Sequence, residues 1–384
     1  MANPVHILHL HSSFDLGGKE ARAVRLMNLF GDAARHTIVS GVPDKYGARD
    51  AIAKGISYEI AQNPPPLTGK PSVARYEAIA RYMRRFDLVL SYNWGAIDGA
   101  MARRVFSKDM PPLIHHEDGF NSDEALGLKV ERNVYRRIAL TAAEALVVPS
   151  ATLEGIARKY WKTPAAKLHR IVNGIPLAAY QNAPQQRSIP GFRKKPGEVV
   201  IGSLAGLRDV KDLPKLVRAV GGISARVQLL IVGEGPERAA IEGAAMAMGL
   251  RDRLHMPGFL PDPHRYIGLF DIFALSSRSE QFPISVVEAM AAGLPVAAPA
   301  VGDLMDMVSN ENRPFIAPYS GEVDLRNAIE ALVIDPDLRQ RIGAANRHKA
   351  LALYDESAMI GAYAALYGTA IGEPEHFTAS LSKS

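Results

Sequence analysis

The chain has 384 residues, of which 47% are hydrophobic, and a formal net charge of +5. This length is enough for two domains of ordinary size, and no apolar run is long enough to cross a membrane as a helix. The absence of cysteine excludes disulfides, thiolate metal sites and cysteine nucleophiles, so a reducing cytoplasm is the simplest expected compartment. The first residues lack a cationic segment and predict a strand instead of a signal peptide.

Short apolar segments alternate with amphipathic helical stretches, a pattern that predicts an α/β chain with parallel sheets. In the first half, the predicted strands are residues 5–10, 37–41, 88–92, 113–116 and 145–149. In the second half, they are residues 199–203, 227–232, 255–258, 272–275 and 295–298. The polar segment 182–191 contains proline and glycine, which predicts a linker or an exposed loop between two similar units.

These elements define the expected domains. We predict an N-terminal domain over residues 1–180 and a C-terminal domain over residues 192–355. Residues 356–370 have apolar side chains at helical spacing, and the sequence alone leaves open which domain this helix joins. Residues 371–384 have little apolar periodicity and predict a flexible tail.

A glycine pair follows the first predicted strand and precedes a helix. Gly17 and Gly18 would let the backbone approach a ligand closely, and the amino end of a helix offers free N–H groups to an anion. The surrounding residues match neither the GxGxxG dinucleotide motif nor a Walker P-loop. This disfavours a dehydrogenase or a P-loop nucleotide hydrolase.

Two glutamates frame the most informative segment of the chain. Glu280 lies in the loop after the predicted strand 272–275, and Glu288 lies on the following helix, which ends at Gly293. In an open parallel sheet, such loops line the ligand crevice. A carboxylate has two acceptor oxygens and can accept both hydrogen bonds from a sugar diol. The pair is therefore suited to a ligand that carries two sugars, such as a nucleotide sugar.

The residues around these glutamates read Ser-x-x-Glu-x-Phe-Pro and then Glu-Ala-Met-Ala-x-Gly-x-Pro-Val. This frame resembles the Glu-x7-Glu signature of the family 4 retaining glycosyltransferases. The glycine pair also looks like the Gly-Gly-x-Glu loop of that family, and the similarity continues over nearly the whole chain. It implies the GT-B architecture, in which two Rossmann-like parallel-sheet domains face each other across a cleft. It also implies that the helix 356–370 crosses back to the N-terminal domain.

The resemblance implies a role for each matched residue on the donor side. Glu288 would hold the ribose hydroxyls, Glu280 would contact the donor sugar, and Lys211 would stabilise the released diphosphate beside the amides of Gly17 and Gly18. The backbone of Phe259 would read the nucleobase. The donor-binding set also includes the residues after Glu280 at the start of the helix: Phe282, Pro283, Ile284 and Ser285.

One position departs from the family pattern. Gly206 stands where the family usually has an arginine that neutralises the donor diphosphate. Arg208, two residues further on, is the candidate replacement. A charge-assisted contact with the leaving phosphate would be the main electrostatic contribution of this loop.

Two adjacent histidines form the end of the predicted strand 113–116. The family often has a histidine here that orients the sugar or the acceptor, and His115 and His116 are both candidates because strand pleating sends them to opposite faces. Only one of them is therefore expected to face the ligand. Asn93, after the strand 88–92, is a candidate acceptor contact. The spacing of potential ligands predicts no metal site, and no cofactor is expected.

The predicted function is a metal-independent, retaining transfer of a sugar from a nucleotide-diphosphate sugar to a hydroxyl acceptor, with the leaving phosphate assisting front-face attack. The resemblance implies a saccharide or lipid-linked acceptor in cell-envelope polysaccharide or glycolipid synthesis at the inner face of the cell membrane. A catalytically silent nucleotide-sugar-binding subunit and a nucleotide-sugar epimerase remain as alternatives. No nucleic-acid partner is expected. Two predicted helices carry arginines that would attract an anionic membrane, namely residues 75, 81, 84 and 85 and residues 132, 136 and 137.

Overall fold

In the computed structural model, residues 3–120, 122–124, 127–318 and 321–381 are described, and they form two compact units. The first unit contains residues 3–120, 127–172 and 358–381, and the second contains residues 122–124 and 173–357. No helix in these ranges is both long enough and apolar enough to cross a membrane.

The strands form one sheet in each unit. The first sheet consists of β1 (Val5–His11), β2 (Ala34–Ser40), β3 (Tyr58–Ile60), β4 (Leu88–Tyr92), β5 (Leu113–His116), β6 (Ala145–Val148) and β7 (Leu168–Arg170). The second consists of β8 (Val199–Leu204), β9 (Val227–Val232), β10 (Leu254–Gly258), β11 (Ile272–Ala274), β12 (Val296–Pro299) and β13 (Ile316–Ala317).

Helices connect the strands and cover the sheets. In chain order they are α1 (Gly18–Phe30), α2 (Val73–Met83), α3 (Asp98–Val105), α4 (Val130–Ala139), α5 (Ala151–Ile156), α6 (Leu213–Gly221), α7 (Arg238–Ala247), α8 (Ile284–Ala291), α9 (Leu304–Met307), α10 (Glu322–Ile334), α11 (Pro336–Leu353), α12 (Glu356–Ala370) and α13 (Thr378–Leu381).

Every described strand pair is parallel, and both sheets reverse their strand order at one point. The first sheet has the order β3-β2-β1-β4-β5-β6-β7, and the second has the order β10-β9-β8-β11-β12-β13. In the first sheet, the chain continues from β1 toward one side of the sheet and from β4 toward the other. In the second sheet, the same holds for β8 and β11. The crevice that this leaves at the carboxyl ends of the two central strands is the usual ligand position in such sheets.

All ten predicted strands are present, with ends that differ by at most a few residues. The sequence missed β3, β7 and β13. Each of these is an edge strand of two or three residues. A segment so short is below the length at which alternation or a continuous apolar run can be recognised.

The boundary between the units lies earlier in the chain than the predicted end of the N-terminal domain at residue 180. Asn173 Nδ2 donates to the carbonyl oxygen of Phe282 at 3.4 Å, and Ile175 forms an isolated parallel bridge with Asp355. The predicted linker is also anchored, because the Gln185 N–H donates to the carbonyl oxygen of Arg265 and Ile189 is buried. Residues 173–191 therefore belong to the second unit.

The C-terminal segment belongs to the first unit and is more ordered than the predicted tail. On α12, Tyr363 and Tyr367 are buried in an apolar cluster with residues of the first sheet. Beyond α12, Phe377 is fully buried with its ring centroid 4.6 Å from that of Phe30, and His376 Nε2 lies 2.8 Å from the carbonyl oxygen of Ala33. One anchoring aromatic residue has no periodicity, so the sequence pattern could not reveal it. Residues 382–384 of the predicted tail lie outside the described residues.

Four of the buried histidines in the first unit, His9, His11, His36 and His116, lie close to other rings. His9 Nε2 lies 3.0 Å from His36 Nδ1, and the ring of His11 stacks on Tyr92 with centroids 4.1 Å apart. His116 Nε2 lies 2.9 Å from the Tyr367 hydroxyl. Burial lowers the pKa of each histidine, to about 4 for His36 and about 3 for His116. They are neutral in the folded unit at pH 7.

The buried histidines predict that the first unit loses stability in acid. An unfolded histidine binds a proton near pH 6.5 and the folded one does not, so stability falls as the pH drops below 6.5 and continues to fall toward pH 4. Each such histidine contributes roughly 1.4 kcal/mol per pH unit in this window. The two tryptophans of the chain, Trp94 and Trp161, both lie in the first unit, so urea unfolding followed by tryptophan fluorescence at pH 7.5, 6.5 and 5.5 measures this loss.

The variant His11→Phe separates this effect from general acid unfolding. Neither ring nitrogen of His11 has a hydrogen-bond partner among the described residues. Phenylalanine keeps the stacking on Tyr92, so we expect a more stable unit and a pH slope smaller by about one proton. The exposed His348→Gln is the matched control and leaves the slope unchanged. An unchanged slope in His11→Phe would contradict the assignment of the acid sensitivity to this cluster.

Candidate functional site

In the second unit, the loops after the two central strands meet through an ion pair. Lys211 follows β8 and Glu280 follows β11, and Lys211 Nζ lies 2.5 Å from Glu280 Oε1. The side chains are 16% and 10% exposed, so both are largely withdrawn from water. The Ser276 hydroxyl donates to the carbonyl oxygen of Lys211 at 2.9 Å, which fixes the two loops together. The structure therefore brings together two of the residues that the sequence selected.

The loop after β12 packs against the backbone of the Glu280 loop. A Cβ on Gly302 would lie only 2.4 Å from the carbonyl oxygen of Glu280, and the φ of Gly302 is +58°. Both facts require glycine there. The Ser277 hydroxyl donates to Glu280 Oε1 at 2.7 Å, so the carboxylate is held by a hydroxyl as well as by the lysine. Its other oxygen, Oε2, takes part in neither of these contacts.

Glu288 lies on α8, as predicted, and is hydrogen-bonded to Tyr180. The Tyr180 hydroxyl donates to Glu288 Oε1 at 3.0 Å. Burial raises the pKa of Glu288 to about 7, although the hydrogen bond from Tyr180 acts in the opposite direction. A carboxyl group whose charge is so poorly compensated is a common feature of binding and catalytic sites. The sequence did not identify Tyr180, since no local pattern links residues so far apart in the chain.

The residues between Glu280 and Glu288 form the entry to α8. Phe282 and Pro283 are buried, Ile284 and Ser285 are partly exposed at the first turn of the helix, and Phe282 packs edge-on against Tyr354 with centroids 5.5 Å apart. Phe259 follows β10 and is 54% exposed.

Arg208 reaches toward the position where the family pattern has an arginine. A Cβ placed on Gly206 would lie 3.5 Å from Arg208 Nε, and Gly206 and Arg208 are both exposed. The Arg208 side chain thus lies close to Gly206, although Arg208 is two positions further along the chain.

In the first unit, the glycine pair begins α1, with Gly17 as the N-cap residue. A Cβ on Gly17 would lie 3.0 Å from Glu20 Oε2, which leaves little space for a side chain. Lys19 Nζ forms an ion pair with Glu20 and donates to the carbonyl oxygen of Ser13 at 3.2 Å. The amino end of α1 therefore carries an ordered lysine beside its first N–H groups, an arrangement suited to an anion.

A second ion pair joins α1 to the loop after β5. Arg22 and Asp118 form a bidentate contact, with Nη1–Oδ1 at 2.6 Å and Nη2–Oδ2 at 2.9 Å. Burial alone would raise the pKa of Asp118, but the guanidinium of Arg22 outweighs this and lowers it. The Asp118 N–H donates to Asn93 Oδ1 at 2.7 Å, and the φ of Asn93 is +59°. The predicted residue Asn93 thus orders the loop that carries Asp118.

The structure buries both residues of the histidine pair. His115 and His116 are 0% and 1% exposed, so neither ring lies open to a ligand within the first unit. His115 Nδ1 lies 2.9 Å from the Ser91 hydroxyl, and His116 contacts Tyr92 and Tyr367. Pleating does send the rings to opposite faces, but helices cover both faces of a parallel sheet, so alternation exposes neither residue.

No cluster of metal-ligating side chains is found among the residues that the structure describes.

Two family models match the chain in succession. Residues 16–179 match "Glycosyltransferase Family 4" and residues 184–349 match "Glycosyl transferases group 1". The first match covers the strands β2 to β7 of the first sheet, and the second covers Lys211, Glu280 and Glu288.

Curated relatives and solved structures agree with these models. The chain is 33% identical to the 2-deoxystreptamine glucosyltransferase of Streptomyces kanamyceticus over 36% of this chain and 38% of the relative. It is 28% identical to the lipopolysaccharide core biosynthesis glycosyltransferase LpsD of Rhizobium meliloti, over 42% of this chain and 47% of the relative. The chain thus spans less than half the length of these two relatives.

The structure of HepE from Anabaena in complex with UDP and glucose resembles the fold of this chain. The TM-score is 0.76 at 20% identity, over 94% of this chain and 98% of HepE. At this identity the similarity shows the fold.

Proposed function

Because the chain belongs to the family 4 glycosyltransferases and has their GT-B fold, we propose that it transfers a sugar from a nucleotide-diphosphate sugar to a hydroxyl acceptor, with retention at the anomeric carbon. The observation that carries this proposal is the site after β8 and β11. There Lys211 and Glu280 form an ion pair, and Glu288 lies on α8, the helix that follows Glu280. UDP, which HepE binds in its complex, is the first nucleotide to test.

The donor diphosphate would bind beside Lys211. The lysine ammonium has three protons, and in the free protein Glu280 accepts only one hydrogen bond from it. The remaining protons and the guanidinium of Arg208 would stabilise the charge that develops on the leaving phosphate. The N–H groups of Gly17 and Gly18 would add further donors. This chemistry requires no metal ion.

The two glutamates would hold the two sugars. The unused Oε2 of Glu280 would accept a hydroxyl of the transferred sugar, and Glu288 would accept the ribose diol after exchanging its hydrogen bond from Tyr180. The residues from Phe282 to Ser285 would line the donor, and the backbone of Phe259 would contact the base. No protein nucleophile is involved, because the leaving phosphate takes the proton of the attacking hydroxyl on the same face.

The acceptor would be bound by the first unit. Asn93 and Asp118 offer polar groups at the carboxyl edge of its sheet, whereas the buried His115 and His116 would act only by positioning these loops. LpsD acts in lipopolysaccharide core biosynthesis, which supports a saccharide or lipid-linked acceptor and a role in cell-envelope polysaccharide synthesis.

The first prediction concerns donor binding. A thermal-shift series with UDP-, GDP- and ADP-sugars should raise the melting temperature for one nucleotide family, since a ligand that binds the folded state stabilises it. Glu288→Ala and Lys211→Ala should each abolish the shift, and Arg208→Ala should weaken donor affinity about tenfold through the loss of a charge-assisted contact. Transfer or hydrolysis of the selected donor is then followed by release of the nucleoside diphosphate, and NMR of the product reports the anomeric configuration.

The exposed Glu311→Ala is the matched control for the loss of a carboxylate and should bind as the wild type does. An inverted product would contradict retention. Tight binding without transfer or hydrolysis would favour the alternative of a silent nucleotide-sugar-binding subunit. Interconversion of two nucleotide sugars without release of the diphosphate would favour an epimerase.

The second prediction is a pH dependence of donor binding that originates from Glu288. Burial raises the pKa of Glu288 to about 7, and a carboxylate accepts both ribose hydrogen bonds only when ionised. The affinity for the UDP-sugar should therefore fall about tenfold from pH 8 to pH 6, because protonation at pH 6 must be reversed before binding. The diphosphate diester of the donor has no group that titrates in this range, so titration calorimetry reports the protein.

Two variants assign this titration. Tyr180→Phe removes the hydrogen bond that lowers the pKa of Glu288, so the midpoint of the affinity profile should move above pH 7. Glu288→Gln should bind weakly with a flat profile. A wild-type pH profile in Glu288→Gln would show that another group titrates.

We also propose that the first unit rests on an anionic membrane through α4. Val130, Val134 and Ile138 are 74%, 53% and 48% exposed and recur every four residues, so they form one apolar stripe. Arg137 is exposed on the same helix, and the basic net charge of the chain would draw it to anionic lipid. Arg136 does not contribute as predicted, because it is fully buried beside Glu117.

The third prediction tests this stripe by co-sedimentation with phosphatidylglycerol vesicles. Val134→Glu/Ile138→Glu should lose most of the vesicle binding, since it removes apolar area and adds charges of the same sign as the lipid. Val323→Glu/Ile334→Glu introduces the same charges at exposed positions of the second unit and should bind as the wild type does. Equal losses in both double variants would assign the binding to net charge alone.

A further inference from the structure

A separate cavity in the second unit lies at the amino ends of the strands, opposite the loops that carry Lys211 and Glu280. It has a volume of about 730 Å³ and is lined by residues 186, 187 and 189–195, by Gln228 of β9 and by residues 252–255 around the start of β10. Gln228 is the second residue of β9, whereas Lys211 and Glu280 follow the carboxyl ends of their strands. A strand of six residues spans about 20 Å, so the cavity is separated from the proposed donor site by the length of the sheet. Its volume is within the range of small-molecule sites.

The lining of the cavity is strongly basic. It contains one carboxylate, Asp252, and five cationic side chains: Arg187, Arg193, Lys194, Lys195 and Arg253. Lys194 pairs with Asp271 at 2.7 Å. Throughout the described ranges, no carboxylate forms an ion pair with any of the other four. Like charges gathered around one concave surface repel each other, and an anion that binds there would relieve this repulsion.

A buried amide points to a ligand that also donates hydrogen bonds. Gln228 is 8% exposed, lines the cavity, and its Oε1 has no hydrogen-bond partner among the described residues. A buried acceptor without a partner is unfavourable, and a ligand hydroxyl would satisfy it. Asp252 is a second acceptor in the same lining.

The cavity also has a fixed apolar wall. Phe192 is buried, and its ring centroid lies 5.7 Å from that of His255, which is held by a contact of 2.9 Å between Nε2 and the carbonyl oxygen of Pro190. The three features together are cations, hydrogen-bond acceptors and an apolar surface. They match a ligand with a phosphate, hydroxyl groups and a ring.

We propose that this cavity binds a sugar-phosphate group, carried either by a free small molecule or by the headgroup of a lipid. The phosphate contacts Arg193 and Lys195, and the sugar hydroxyls donate to Gln228 and Asp252. The inference uses neither the proposed transfer reaction nor its donor site, so it stands or falls independently of them.

Titration calorimetry with glucose 1-phosphate and with pyrophosphate tests this assignment. We expect Arg193→Ala/Lys195→Ala to weaken the affinity for both probes about tenfold or more, because two charge-assisted contacts are lost. Lys54→Ala/Arg341→Ala removes the same charge from exposed positions elsewhere and should leave both affinities unchanged. Lys211→Ala, which removes the proposed diphosphate contact at the donor site, should also retain binding at the cavity.

Gln228→Leu distinguishes a built site from general attraction between charges. It should weaken glucose 1-phosphate and spare pyrophosphate, which has no sugar hydroxyls, without lowering the urea midpoint of the protein. Flotation with phosphatidylcholine vesicles that contain or lack phosphatidylinositol identifies the source. Recruitment that depends on phosphatidylinositol and on Arg193 and Lys195 assigns a lipid headgroup, and calorimetric binding without recruitment assigns a free sugar phosphate.

Three results would overturn the proposal. The first is that neither probe binds the wild type. The second is that the control pair Lys54→Ala/Arg341→Ala weakens binding as much as the cavity pair does. The third is that Lys211→Ala abolishes binding while Arg193→Ala/Lys195→Ala retains it, which would place the phosphate at the donor site.

Discussion

The reversal of strand order between β8 and β11 is the constraint on which the proposed donor site depends. The two strands are neighbours, yet their connections leave in opposite directions, so their carboxyl-end loops are not filled by a crossing helix. Lys211 and Glu280 come from these two loops, 69 residues apart in sequence, and meet at 2.5 Å. The Ser276 hydroxyl donates to the carbonyl oxygen of Lys211, and Gly302 lies close to the carbonyl oxygen of Glu280, so the two loops are fixed in place. The chemistry of the site is therefore a consequence of sheet topology before it is one of side chains.

The two glutamates differ because their partners differ. Glu280 has a lysine and a hydroxyl, so its charge is compensated in the free protein. Glu288 has one neutral partner, Tyr180, and burial raises its pKa to about 7. An uncompensated carboxyl group lowers the stability of the free protein when it is ionised. A polyhydroxyl ligand that donates to it recovers that free energy on binding, which is why such groups are retained at sites and removed from cores.

Much of this organisation could be predicted from the sequence, because it is local. The alternation of apolar strands and amphipathic helices gave the α/β class, and the frame around Glu280 and Glu288 placed one residue in a loop and the other on α8. Contacts between distant segments have no such signal. The hydrogen bond from Tyr180 to Glu288, the burial of Phe377 and the position of the unit boundary all depend on long-range packing. The burial of both histidines has a related cause, since pleating determines the face of each ring but not whether that face is covered.

The segment 186–195 shows how far composition can mislead. Residues 182–191 are polar and contain proline and glycine, which predicted a linker or an exposed loop. These residues do lie largely exposed, but Ile189 is buried, and so is Phe192 just beyond them. Two buried anchors hold the segment against the beginnings of β9 and β10, and the cations between them then line a cavity instead of being dispersed in solvent. Fixing these like charges in one place is electrostatically unfavourable and contributes nothing to the core. In this unit, cations are concentrated at both ends of the parallel strands. At the carboxyl ends they lie beside Glu280, whose carboxylate compensates them. At the amino ends, Gln228 and a single aspartate are the available acceptors. The second arrangement is stable in isolation only at a cost that a bound anion would remove, and this is the physical reason to regard it as a site.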